Sequence, residues 1–189
     1  MTLRPKLMIV GHARHGKDTL CEMLAKHGYT FQSSSRFALE AFIYNMVKDE
    51  YGLDIEAAYA DRVNRREFWY NCIRDYNNGD ETRLGRALFA HYDMYCGCRS
   101  GKELAALREA KVIDFTIWIS RMSMPPEDSS SMTVKPFQSD HTIYNNGTLV
   151  DLEEKVDKLY HGFLKPWESR LANPEPALPE SPKVKYEET

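Results

Sequence analysis

The sequence predicts an α/β fold, a parallel sheet with helices on both faces, and three observations carry that expectation. Five short apolar runs alternate with stretches of helical periodicity. The first run ends in a glycine-bounded loop that leads directly into a helical pattern. The fourth, VIDFTIWI at residues 112–119, is the most strand-like segment of the chain and is apolar almost throughout, as a strand buried on both faces is.

Taken in order, residues 6–10 (KLMIV) read as the first strand and 17–27 as a helix with Leu20, Met23 and Leu24 on one face. Residues 29–32 are a short second strand. Ser33 to Ser35 then offer caps for a helix carrying Phe37, Ala41, Ile43, Tyr44 and Val47. A long helical region follows over 55–91, with a break expected at Asn77-Asn78-Gly79. Residues 92–98 are the third strand and 102–110 its return helix. After the fourth strand, residues 120–140 are rich in Ser, Met and Pro and read as a mobile loop. A last strand at 141–144 turns through Asn145-Asn146-Gly147 into a helix, with Thr148 and Asp151 forming a capping box. From Lys165 onward five prolines lie among acidic residues. The expected division is therefore a domain over residues 1–164 and a disordered tail over 165–189.

Composition narrows the class. A chain of 189 residues is long enough for one domain with a substantial core. No apolar run approaches the roughly 20 residues that span a bilayer, and no secretory h-region precedes the first strand, so no membrane partner is expected. A formal charge of −3 argues against general attraction to nucleic acid and leaves only local basic patches. The four cysteines are expected to be buried reduced thiols, as in a reducing cytoplasm. Cys96 and Cys98, two apart in a strand, are expected on one face, without a second pair to complete a zinc site.

The strongest motif is Gly11-His12-Ala13-Arg14-His15-Gly16-Lys17-Asp18-Thr19, which fits G-x4-G-K-x-T, its hydroxyl residue displaced by one place. Between a strand and a helix, this pattern makes a phosphate-binding loop. Backbone N–H groups curl around the β- and γ-phosphates of ATP, and the helix N-terminus adds positive potential. Lys17 is expected to bridge those phosphates, with Thr19, or the Asp18 carboxylate, facing Mg2+. His12 and His15 hold variable positions and are expected to point to solvent.

The chain has no room for the additional sheet of an ATPase motor. Its third strand ends Cys96-Gly97-Cys98-Arg99, with arginine where a magnesium-orienting aspartate is usual. Arg99 is therefore a candidate for holding phosphate, against a surface salt bridge as the plain alternative. Arg121, where the fourth strand enters the loop, is the candidate lid arginine, in a lid that excludes water during transfer.

The loop GHARHGKDT, the segments SSSRF and YCGCRSGKEL, the strand VIDFTIWISR and the stretch DHTIYNNGTLVDLEEKV together resemble phage P-loop kinases, relatives of deoxynucleoside monophosphate kinases and dephospho-CoA kinases. Within that group, SSSRF and DRVNRREFWYNCIRDYN look most like the 5-hydroxymethyluracil DNA kinases of phages with hypermodified thymidine. The resemblance implies a P-loop NTPase fold with a five-stranded parallel sheet of order 2-3-1-4-5. It also implies an adenine pocket near Asn145 to Gly147, with Asn146 among the ATP-binding residues, and a place in the cytoplasm of the host cell.

Two acceptors are open. A nucleoside monophosphate needs several arginines to neutralise its phosphate, whereas a hydroxyl must lose a proton and is helped by a carboxylate. The lid holds only Arg121 and Lys135, which favours the hydroxyl of 5-hydroxymethyl-deoxyuridine in DNA over a free dNMP. A non-catalytic nucleotide-binding scaffold is the remote third reading. Asp18, Glu40 and Asp61 are the candidate carboxylates, with Glu40 equally readable as a solvated helix residue. Arg36, Arg65 and Trp69 are candidates for acceptor phosphate and base, since arginines and aromatics mixed on a helix can grip phosphate and stack on an extruded base. A helix with an aromatic core face is the plain alternative. Oligomeric state is not readable from the chain.

Overall fold

The structure, a computed structural model, describes residues 3–52, 54–129 and 132–173. Strand β1 (Leu7–Val10) is buried at every position and lies at the centre of a five-stranded sheet of order β2-β3-β1-β4-β5. Every ladder is parallel, so all five carboxyl ends emerge on one edge. This is the strand order that the family resemblance implied. In such sheets ligands sit outside the carboxyl ends, where neighbouring connections diverge to opposite faces.

The chain leaves β1 through the loop and enters α1 (Lys17–Ala25), then returns as β2 (Phe31–Ser33) at the sheet edge. A helical insert follows. Ser33 caps α2 (Ser34–Ala38) by accepting the Arg36 N–H, and a π-helical turn at Leu39–Ile43 carries the same rod into α3 (Tyr44–Tyr51). Helices α4 (Ile55–Ala60), α5 (Arg66–Asn77) and α6 (Arg83–Phe89) complete it. The expected break at Asn77-Asn78-Gly79 is present, with Asn78 left-handed at φ 46°. A second break, at the 3₁₀ turn Asp61–Val63, divides what the sequence pattern ran together. Strand β3 (Met94–Cys96) then leads through an arginine-bearing turn to α7 (Gly101–Glu109), capped by Ser100. Strand β4 (Phe115–Ser120), the loop over 121–140 and β5 (His141–Tyr144) follow. Thr148 and Asp151 form the expected capping box of α8 (Leu149–Leu159).

One boundary differs from expectation. The helical path continues through a π turn into α9 (Lys165–Ala172), across the position where the tail was expected to begin. Trp167 and Phe163 pack on Phe115 of β4, with ring centroids 6.0 and 4.8 Å away, and Glu168 meets Arg4 at 3.6 Å. Helix α9 and these aromatic contacts therefore carry ordered structure past the first proline. Residues 174–189 of the expected tail lie outside the described residues.

Three apolar clusters hold these layers. One joins α1, α8 and the Leu164 turn to one sheet face through Leu20, Leu24, Ile117 and Val156. The second lies on the opposite face with Met8, Trp118, Leu104 and Leu107. The third is internal to the helical insert and contains Leu39, Ile43, Leu84 and Trp69. Cys96 belongs to the first cluster and Cys98 to the second, contrary to the expected shared face. Gly97, at φ 93°, ends the strand between them and reverses the alternation.

Candidate active site

The loop between β1 and α1 is built to receive an anion. Gly16 precedes α1 at φ 103°, a left-handed conformation that places the loop's return close against the helix start. No side chain caps α1, so its first-turn N–H groups keep no side-chain acceptor, unlike those of α2, α7 and α8. Nine residues of helix stand behind that end. The loop's outer wall is fixed by Asn145 at the end of β5, whose buried Nδ2 donates to the His15 carbonyl at 3.1 Å.

Lys17 projects back over the loop, its ammonium donating to the His12 carbonyl at 2.8 Å. Burial lowers its pKa from the ordinary lysine value, with Cys96, Asp18 and Glu127 acting the other way. Asp18 is exposed on the first turn, and its carboxylate accepts from the Cys96 thiol at 3.4 Å. Thr19 is half-buried one residue further on. Arg99 leaves the β3–α7 turn, half exposed, on the same edge of the sheet.

An anion already sits on this surface. The Glu127 carboxylate, on the lid, accepts the Ala13 N–H at 2.8 Å through Oε2. Its Oε1 pairs with Arg99 Nη1 at 2.7 Å. Sequence reasoning missed Glu127, because no local pattern marks it and Ala13 lies 114 positions away. The contact also tests the cofactor expectation on the structure's own terms. A backbone amide and an arginine that hold a carboxylate suit a phosphate oxygen, and the oxygens of Asp18 and Thr19 on the first turn of α1 are of the kind that suits Mg2+. Among the described residues no cluster of three His, Cys, Asp or Glu side chains could hold a metal ion.

The two loop histidines do not point to solvent. His15 is buried, and its Nδ1 accepts the Arg121 N–H at 3.0 Å, which places the ring proton on Nε2. His12 Nδ1 accepts the Glu127 N–H at 3.1 Å, and burial followed by the neighbouring His15 lowers its pKa from 6.5. The His12 ring meets Trp118 edge-on at 5.3 Å and His15 at 5.2 Å. These rings, with Met122, Met124 and Pro126, line a cavity of about 320 Å³ under the lid.

The lid itself is only half free of the core. Met132 and Val134 are buried in the second cluster, and the Thr133 N–H and hydroxyl both donate to the Arg99 carbonyl, at 2.9 and 3.2 Å. The expectation of a wholly mobile segment is corrected by these anchors. Its first half hangs on His12, His15 and Asn146, whose Oδ1 accepts the Met122 N–H at 2.8 Å.

The acceptor candidates divide. Arg36 is held between Glu40 and Glu56 at 2.5 and 2.7 Å, so Glu40 is committed to an i,i+4 pair. Asp61 accepts from Tyr51 and from Asn64, and Arg65 pairs with Glu50 at 2.8 Å. Trp69 is 7% exposed in the insert's core and presents no face for a base. Its place in the apolar spacing of α5 explains the burial. A hydroxyl cluster that the sequence did not single out lies near the carboxyl end of β2. Tyr59 OH stands 3.3 Å from Ser33 Oγ and 3.2 Å from Ser35 Oγ, and Arg62 lies 3.9 Å over the Tyr59 ring.

No protein-family model matches the chain, and none of the curated proteins matches it. Solved structures of similar arrangement include three kinases. A shikimate kinase from Acinetobacter baumannii in complex with shikimate is 12% identical, with 85% of this chain and 95% of that chain covered and a TM-score of 0.48. A sugar kinase from Janibacter is 15% identical, with 88% and 98% covered and a TM-score of 0.47. A shikimate kinase from Aquifex aeolicus is 12% identical, with 82% and 96% covered and a TM-score of 0.41. Likeness at this level concerns the arrangement of elements and carries no argument about activity or substrate.

Proposed function

We propose that the chain is an ATP-dependent phosphotransferase whose acceptor is a hydroxyl, the hydroxymethyl group of 5-hydroxymethyl-deoxyuridine in DNA. The observation that carries the phosphotransferase reading is the Ala13 amide and Arg99 guanidinium converging on one anion beside Lys17. The hydroxyl reading rests on the lid, which carries Arg121 and Lys135 as its only arginine and lysine. A phosphate-bearing acceptor would call for more positive charge there.

In this mechanism the loop amides and Lys17 hold the triphosphate, and Arg99 and Arg121 neutralise charge on the moving group. Magnesium, held at Thr19, would neutralise charge between the last two phosphates when bound. The acceptor oxygen attacks the terminal phosphorus, and the bond to the bridging oxygen breaks, its electron pair leaving on ADP. The acceptor proton passes to a carboxylate. Asp18 adjoins Lys17 and accepts from the weakly donating Cys96 thiol, whereas Glu40 is ion-paired to Arg36 and Asp61 accepts from Tyr51 and Asn64 in the insert. Asp18 is therefore the assigned base.

The deciding experiment supplies terminally labelled ATP with DNA containing 5-hydroxymethyluracil, with unmodified DNA, and with each dNMP. Label in the modified DNA alone supports the reading. Labelled dNDP selects the monophosphate kinase, and label in no acceptor contradicts both.

A further inference from the structure

The Glu127 contact has an energetic consequence for the loop. A carboxylate and a phosphate oxygen cannot both accept from the Ala13 N–H, and two anions at that distance in a half-buried cleft repel strongly. Glu127 is held there by its Arg99 pair and by its own N–H on His12, with a side chain only 14% exposed. Arg99 is occupied by the same contact. The lid segment that carries Glu127 is tied on one side to His15 and Asn146 and on the other to the Arg99 turn. A closed ring of contacts therefore joins loop, lid and arginine while the carboxylate is seated.

From this geometry we infer that Glu127 is an internal stand-in for the terminal phosphate of a nucleoside triphosphate, a specificity residue that the incoming γ-phosphate must displace. The inference rests on the nucleotide-binding reading of the loop and adds a selection rule to it. Ala13 lies in the first half of the loop, away from the α1 start, and on the nucleotide-binding reading it faces the terminal phosphate. The same reading puts the β-phosphate over the uncapped first turn of α1, which Glu127 does not touch in any described contact. Displacement frees the Arg99 guanidinium for the phosphate that replaces the carboxylate, so the arginine is delivered only when a triphosphate binds. A diphosphate leaves Glu127 seated and Arg99 engaged, and the emptied lid re-latches after transfer.

The test is calorimetry of the full chain with Mg·ATP and with Mg·ADP, for the natural protein, Glu127→Ala and Glu127→Gln, with thermal melts to confirm folding. An occupant that must leave weakens the apparent affinity by the fraction of competent protein. Glu127→Ala is expected to tighten ATP binding about tenfold and to change ADP binding less than twofold, on the same population argument. Glu127→Gln keeps an oxygen for Ala13 but loses the ion pair, and is expected to fall between the two. Should Glu127→Ala fail to fold, Glu127→Gln alone decides, by the same gain for ATP over ADP. Unchanged or weaker ATP binding in the folded variant overturns the stand-in while leaving the nucleotide site intact. An equal gain for both nucleotides overturns the assignment to the terminal phosphate. No binding by any form overturns the loop reading beneath it.

Discussion

The side-chain amide of Asn145 donates to the His15 carbonyl at 3.1 Å, and an ideal Cβ on Gly16 would lie 2.5 Å from the same amide nitrogen. The end of β5 is thus the template against which the phosphate loop is moulded. Gly16→Ala adds both that clash and a left-handed strain of about 1–2 kcal/mol. The expected result is loss of nucleotide binding by more than about tenfold with an unchanged far-ultraviolet circular dichroism spectrum. Binding at the natural level would show that the loop shape is not set by Asn145.

Lys17→Ala removes the ammonium that now rests on the His12 carbonyl. Preorganised charge of this kind is worth about 10²–10³ in turnover, and initial rates should fall by that much or more. The melting temperature should hold, because the aliphatic stem is only part-buried. A variant retaining a tenth of the natural rate would remove Lys17 from the chemistry.

Glu103 supplies a pH prediction independent of the site. Its carboxyl accepts from Tyr95 OH at 2.8 Å inside the second cluster, and burial raises its pKa from 4.5 to about 7. The folded state therefore favours the protonated form. Its contribution is complete below pH 4.5 and is lost as pH rises toward 7, with a slope of up to roughly 1.4 kcal/mol per pH unit. Denaturant melts across that window should show the decline, and Glu103→Gln, which cannot ionise and still accepts from Tyr95, should flatten it. An unchanged slope in the variant would assign the pH dependence elsewhere.

Trp69 separates packing from acceptor binding. The residue is buried in the insert, so Trp69→Ala should destabilise by about 3–5 kcal/mol in chemical denaturation. Trp69→Phe should fold and keep the KM for acceptor within about twofold, because a ring buried in the insert's core has no acceptor contact to lose. A tenfold rise in that KM would restore the base-stacking role.

What the sequence disclosed follows the range of the interactions concerned. The loop, the Ser33 cap and the Thr148–Asp151 box are each decided within nine residues, and all stand where their patterns placed them. The sheet order accords with the family resemblance, not with anything periodicity alone provides. Glu127 was illegible because its meaning lies in a contact with Ala13 far away in the chain. His15 was misread for the same reason, its ring being buried by the lid backbone at Arg121. Trp69 and the Cys96–Cys98 pair failed differently. Aromatic spacing on a helix does not say whether a core or a ligand faces it, and one glycine at positive φ was enough to defeat strand alternation.

Titration calorimetry of Mg·ATP into the natural protein, set beside Lys17→Ala under the same conditions, tests the central claim most directly. Saturable one-to-one binding in the micromolar range, weakened about a hundredfold in the variant, is the expected outcome. No heat at millimolar nucleotide, or equal affinity in the two proteins, would show that residues 11–19 do not form a triphosphate site.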